Sequence, residues 1–192
     1  AHLEAITHLT KGLTLLQTLP ATAEHTQQEL MLQIALGAAL MATKGYAAPE
    51  VATAYARSRE LYQQVGETPQ LCPVLFGLCA FYLVRAEYTT ARELGEQLLR
   101  LAERTRSPDL LLEAHLALGQ PLLWCGDFSA AQVHMQQSIA LYDPQQHSTH
   151  AFLYGQDPGV DCRHWEAIAL WALGYPDQAL KRNHEALALA QE

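Results

Sequence analysis

Apolar residues recur near the start of the chain at Leu3, Ile6, Leu9, Leu13 and Leu16, before a stop at Pro20. That spacing marks one face of a helix. A similar stripe passes through Leu94, Leu98 and Leu101, and another amphipathic pattern occupies Leu180 to Glu192. The pattern also repeats on a larger scale. Leu78 to Tyr82 leads to Ala86-Glu87-Tyr88-Thr89-Thr90-Ala91, Leu118 to Leu122 leads to Gly126-Asp127-Phe128-Ser129-Ala130-Ala131, and Ala167 to Leu170 leads to Gly174-Tyr175-Pro176-Asp177-Gln178-Ala179. A weaker copy runs from Leu36 to Leu40 into Gly45-Tyr46 and Ala52. The second-helix alanines at 52, 91, 131 and 179 are spaced 39, 40 and 48 apart.

Each unit predicts a helical hairpin. Gly37, Cys79, Gly119 and Ala167 are small residues in the first helix that let a neighbour approach, and an acidic or glycine-containing turn then reverses the chain. Tyr88, Phe128 or Pro176 covers the hairpin end, Ala91, Ala131 or Ala179 opens the second helix, and Tyr62, Leu101, Leu141 and Leu189 anchor it. Composition agrees, because Leu and Ala make up a third of the 192 residues while β-branched Val and Ile are scarce.

This periodicity resembles the tetratricopeptide repeat over roughly Leu30 to Glu192. Ala186 fits its late alanine, whereas Arg59, Leu98 and Ser138 do not, and the period exceeds the usual length of about 34 residues. The resemblance implies an all-α, right-handed superhelical solenoid of tetratricopeptide-like hairpins with about nine helices. Residues 1–20 read as the second helix of a preceding repeat, 30–66, 68–106, 108–142 and 160–192 as four repeats, and 143–159 as an extended loop. The chain is expected to be a fragment of a longer protein.

A narrower resemblance rests on Leu36 to Pro49 (LGAALMATKGYAAP), Thr68 to Arg85 (TPQLCPVLFGLCAFYLVR), Leu110 to Gly119 (LLLEAHLALG), YDPQQH from Tyr142, YGQDPGV from Tyr154 and LGYPDQAL from Leu173. These segments look like the repeat region of large bacterial signalling ATPases, many fused to class III adenylate or guanylate cyclase or kinase domains. The resemblance implies a non-catalytic scaffold that reports to catalytic modules elsewhere in the parent. Nothing in the chain itself resembles a Walker loop, G-x-S-x-G or H-E-x-x-H, and no cofactor is expected.

A net charge of −8 without a basic run argues against nucleic acid as partner, and no apolar run is long enough to span a membrane. Cys72, Cys79, Cys125 and Cys162 form no C-x-x-C pair and read as buried reduced thiols of a cytoplasmic protein.

In a tetratricopeptide register the groove positions fall on Phe76, Ala80 and Leu83, then Leu116, Gln120 and Trp124, then His164, Ile168 and Trp171. The expected partner is an apolar or amphipathic protein segment, another part of the parent, or a second copy of the chain, with Phe76, Trp124 and Trp171 as anchors. The competing reading places these aromatics in the interhelix core. Pro121 should kink its helix and free the carbonyl of Ala117. The long interval holds His147, His150, Asp157, Asp161, Cys162 and His164, which carry an alternative metal or acid–base site if they converge. A further alternative is a small-metabolite sensor, as in maltose-responsive activators with similar superhelical repeats, which needs a closed polar pocket.

Overall fold

The computed structural model describes residues 2–20, 22–45, 48–65, 72–147, 150–154 and 156–191, with 152 and 153 described by backbone alone. Tyr46 in the first turn, residues 66–71 between the first two repeats, and Gly155 lie outside the described residues. Nine long helices appear among those described: α1 (His2–Leu16), α2 (Ala23–Lys44), α3 (Pro49–Val65), α4 (Cys72–Val84), α5 (Tyr88–Thr105), α6 (Pro108–Trp124), α7 (Phe128–Leu141), α10 (Pro158–Ala172) and α11 (Pro176–Leu189). Two short helices, α8 (Pro144–His147) and α9 (His150–Tyr154), precede α10.

The hairpin turns show why the repeat is so legible. At three of them the chain closes identically: Glu87 N–H donates to Tyr82 O at 3.0 Å, Asp127 to Leu122 at 3.0 Å, and Tyr175 to Leu170 at 2.9 Å. Each closure needs a left-handed residue at the helix end. Gly126 (φ 85°) and Gly174 (φ 87°) supply it without strain, while Ala86 (φ 59°) adopts it against its Cβ. The following helix is then capped or started by local chemistry. Asp127 accepts from Ala130 N–H at 3.2 Å and Asp157 from Val160 N–H at 3.0 Å, and Pro108, Pro158 and Pro176 stand in first turns.

Each long helix packs on the next, with α7 followed in the stack by α10. First helices also touch first helices, α2 on α4, α4 on α6 and α6 on α10, forming an inner layer backed by α3, α5, α7 and α11. The small residues act at these contacts. A Cβ on Gly37 would meet the Tyr55 ring at 2.5 Å and one on Gly119 the Met135 methyl at 2.5 Å. Gly95, outside the recognised pattern, lets α5 reach the α6 backbone, its notional Cβ lying 3.0 Å from Leu118 Cα. Ala91, Leu98, Leu116 and Met135 are completely buried in the central core.

Pro121 lies inside α6 and leaves Ala117 O without its helical donor, as proline must. The Cys79 thiol of α4 fills that vacancy, its Sγ 3.2 Å from Ala117 O and 3.2 Å from Ala91 O. Burial pushes this thiol up to about 12, so it stays protonated and able to donate. Cys79 therefore ties three helices together. The expectation of four buried thiols is corrected at Cys125, which is exposed because it falls in the α6–α7 turn; Cys72, Cys79 and Cys162 are buried, and all four are free. Among the described residues no helix is long and apolar enough to cross a membrane.

Candidate functional site

The three repeats place equivalent residues in different surroundings. On α4, Phe76 and Leu83 are buried and Ala80 half-buried; on α6, Leu116, Gln120 and Leu123 are all buried. The Cys79 contact with Ala117 shows that this stripe of α4 abuts the next first helix. On α10 the same stripe falls on His164, Ile168 and Trp171, none of them buried. His164 is exposed, Ile168 half-buried and Trp171 69% exposed.

Helix α11 completes a cleft beside this stripe. Pro176, Ala179, Leu180 and Asn183 face His164, Ala167, Ile168 and Trp171 across a space of about 290 Å³. Leu180, which is 57% exposed, occupies the register held by polar Arg92 in α5 and Gln132 in α7. The exchange of a polar for an apolar residue at that position was the sequence signal for the cleft's second wall. Tyr175 and Leu187 extend the exposed apolar surface along α11. Arg182 turns the other way and pairs with the buried Glu166 of α10.

The other half of the inner layer is covered from within the chain. Helices α8 and α9 form a strap of two helical turns, with α9 packed on α4. Tyr154 meets the Phe76 ring edge-on, with centroids 5.1 Å apart. His150 Nδ1 lies 2.7 Å from Glu113 Oε1, and His147 Nε2 lies 3.1 Å from Asp109 Oδ1. Burial pushes the Glu113 carboxyl above its ordinary value, against the hydrogen bond from His150, while that bond raises the His150 imidazole. Asp161, one repeat further on, is pushed up to about 6 by burial, then by the charges of Asp157 and Glu113.

No protein-family model matches the chain, and no curated protein matches it in sequence. Solved structures do match it in shape. MamA from AMB-1, in a P212121 crystal form, is 19% identical with a TM-score of 0.55, the match covering 98% of this chain and 96% of that one. MamA from MSR-1, in a C2 form, is 16% identical with a TM-score of 0.55, over 98% and 93% of the two chains. The chain folds as a tetratricopeptide-like, right-handed superhelical solenoid.

Within that solenoid, Phe76, Leu83, Leu116 and Gln120 lie inside the protein, Phe76 under the strap. Trp124 is half exposed at the end of α6, parallel to Tyr88 and edge-on to Trp165, each at 6.3 Å between centroids. His164, Ile168 and Trp171 share the open cleft. The structure thus divides the nine groove residues between a closed inner face, an aromatic edge and an open end.

The interval proposed for metal or acid–base chemistry is only partly gathered. His147 and His150 stack edge-on, their centroids 4.9 Å apart, but each is engaged by an α6 carboxylate. Asp157 caps α10 and accepts from Tyr142 Oη at 3.2 Å, Cys162 is buried, and His164 lines the cleft instead. Among the described residues no group of three or more His, Cys, Asp or Glu could hold a metal ion. Asp109 and Tyr154 were absent from the candidate residues, since neither sits at a repeat position and their contacts span 38 and 78 residues of sequence.

Proposed function

We propose that this chain is a non-catalytic protein-interaction scaffold whose open α10–α11 cleft receives an amphipathic helix. The observation that carries the reading is the exposure of Trp171 at a position whose counterparts Leu83 and Leu123 are buried. An exposed aromatic flanked by Ile168 and Leu180 is the composition of a binding hot spot rather than of a solvated surface. The cleft is lined mainly by apolar groups and stands open, which favours a helix over a polar metabolite.

The sequence resemblance supplies the wider context: a cytoplasmic bacterial signalling ATPase, with cyclase or kinase modules in some members, in which this solenoid is the sensing or assembly surface. The partner helix then belongs either to the parent protein or to a separate regulator.

Affinity capture with the chain as bait tests the docking face when run beside Trp171→Asp and Leu180→Asp. The expected result is a partner retained by the native chain and lost by both variants, whose helical circular dichroism stays native. Equal capture by all three removes the cleft from consideration. A P-loop in the flanking coding sequence supports the ATPase context, and a DNA-binding module there replaces it.

A further inference from the structure

The strap over α4 and α6 satisfies the buried acid beneath it, Glu113, poorly. Asp109 and Glu113 stand one turn apart on α6, and Glu113 is completely buried. His147 divides its ring between two partners: Nδ1 accepts the backbone N–H of Asp143 at 2.9 Å, and Nε2 lies 3.1 Å from Asp109 Oδ1. His150 uses Nδ1 on one Glu113 oxygen, and the other, Oε2, is buried with no hydrogen-bond partner among the described residues. Asp157 and Asp161 lie close enough to add to the negative field. The permanent cation of the region, Arg163, is spent on Gly159 O at 2.7 Å and on the face of the Tyr142 ring.

A carboxylate buried with one oxygen unpaired is a costly arrangement. An arginine or lysine in place of His150 relieves it, and a guanidinium matches both oxygens at once. The strap's contacts meanwhile define a ligand. His147, His150 and Tyr154 are spaced three and four residues apart, as on one face of a helix, and touch Asp109, Glu113 and Phe76 respectively.

We propose that the inner face of α4 and α6 is a binding groove for a helical peptide carrying arginine or lysine over Glu113 and an aromatic ring four residues later over Phe76, with the strap helices α8 and α9 as its resident stand-in. The groove is separate from the α10–α11 cleft, and its occupant is selected by charge as well as by apolar contact. A partner of this kind displaces the strap, which is held in place by its high effective concentration rather than by a well-matched charge.

The test uses two fluorescent peptides covering residues 144–156, one native and one with His150→Arg, titrated onto the full chain carrying Tyr154→Ala to loosen its own strap. Binding is read by anisotropy, and strap displacement by amide hydrogen exchange of 144–154. The arginine peptide is expected to bind about tenfold or more tighter than the native one, since a charged hydrogen bond to a buried acid is worth that factor. It should also raise exchange in the strap and lose its advantage on Glu113→Gln. Equal affinities, unchanged strap exchange, or an advantage that survives Glu113→Gln overturns the proposal. Placing His150→Arg in the chain itself gives an independent reading if Glu113→Gln fails to fold. That variant should slow strap exchange about tenfold, and faster exchange overturns the proposal.

Discussion

The inner faces of α6 and α10 share one register but meet opposite surroundings. Leu116, Gln120 and Leu123 are enclosed, whereas His164, Ile168 and Trp171 line an open cleft. Helix formation is the same in both, down to the left-handed glycine that ends each helix, Gly126 and Gly174. The difference arises from what is laid on top. The comparison teaches that a repeat position does not carry a fixed role. A residue of a given register becomes core or docking surface according to its neighbour in the stack.

The sharpest way to break the comparison is to truncate both stripes. Leu116→Ala should destabilise the chain by about 2–5 kcal/mol, whereas Trp171→Ala should stay within about 0.5 kcal/mol because little of its side chain leaves water on folding. Urea unfolding followed by circular dichroism measures both, and a similar loss in the two would mean that the cleft is part of the core.

A second test uses the acids at equivalent positions, Glu113 of α6 and Asp161 of α10. Removing the partner with His150→Ala leaves a buried carboxylate alone, which should cost about 3 kcal/mol at neutral pH by the same measurement. His147→Ala should cost less, since Asp109 is exposed and can turn to water.

Asp161 makes the comparison depend on pH. Its carboxyl is held at about 6 in the folded chain against 3.8 as the ordinary value, so between these values the native state binds more protons than the unfolded one. Stability therefore falls as pH rises through that window. Asp161→Asn should raise the melting temperature at pH 7 and leave it unchanged below pH 3.8, which thermal scans at the two pH values check.

The smallest effect is expected at the turns common to both regions. Ala86→Gly should stabilise the chain by about 0.5 kcal/mol, because glycine enters the left-handed region without the Cβ clash, partly offset by its looser unfolded chain. A lower melting temperature instead would show that the Ala86 methyl packs productively.

Local signals were the readable ones. Gly126 and Gly174, the capping residues Asp127 and Asp157, and the alanines Ala91 and Ala131 each act within a few residues of their own position, so the hairpins could be counted from the pattern. Proline chemistry was equally local up to a point. The orphaned Ala117 carbonyl followed from Pro121, but the donor that answers it, Cys79, lies 38 residues away and carries no sequence mark of that role. The candidate site divided the same way. Trp171 stood out as a large aromatic at a groove position, while Phe76, at the same kind of position, lay beneath a strap whose path the register could not reveal.

By itself the sequence determined an all-helical chain of stacked hairpins, because helix propensity, turn residues and apolar periodicity are short-range properties written at fixed spacing. Tertiary structure alone decided which groove residues meet solvent, that α8 and α9 fold back as a strap, and that its histidines face Asp109 and Glu113. Burial and pairing depend on residues far apart in the chain, and the free energy of a carboxylate or a tryptophan is set by what lies against it.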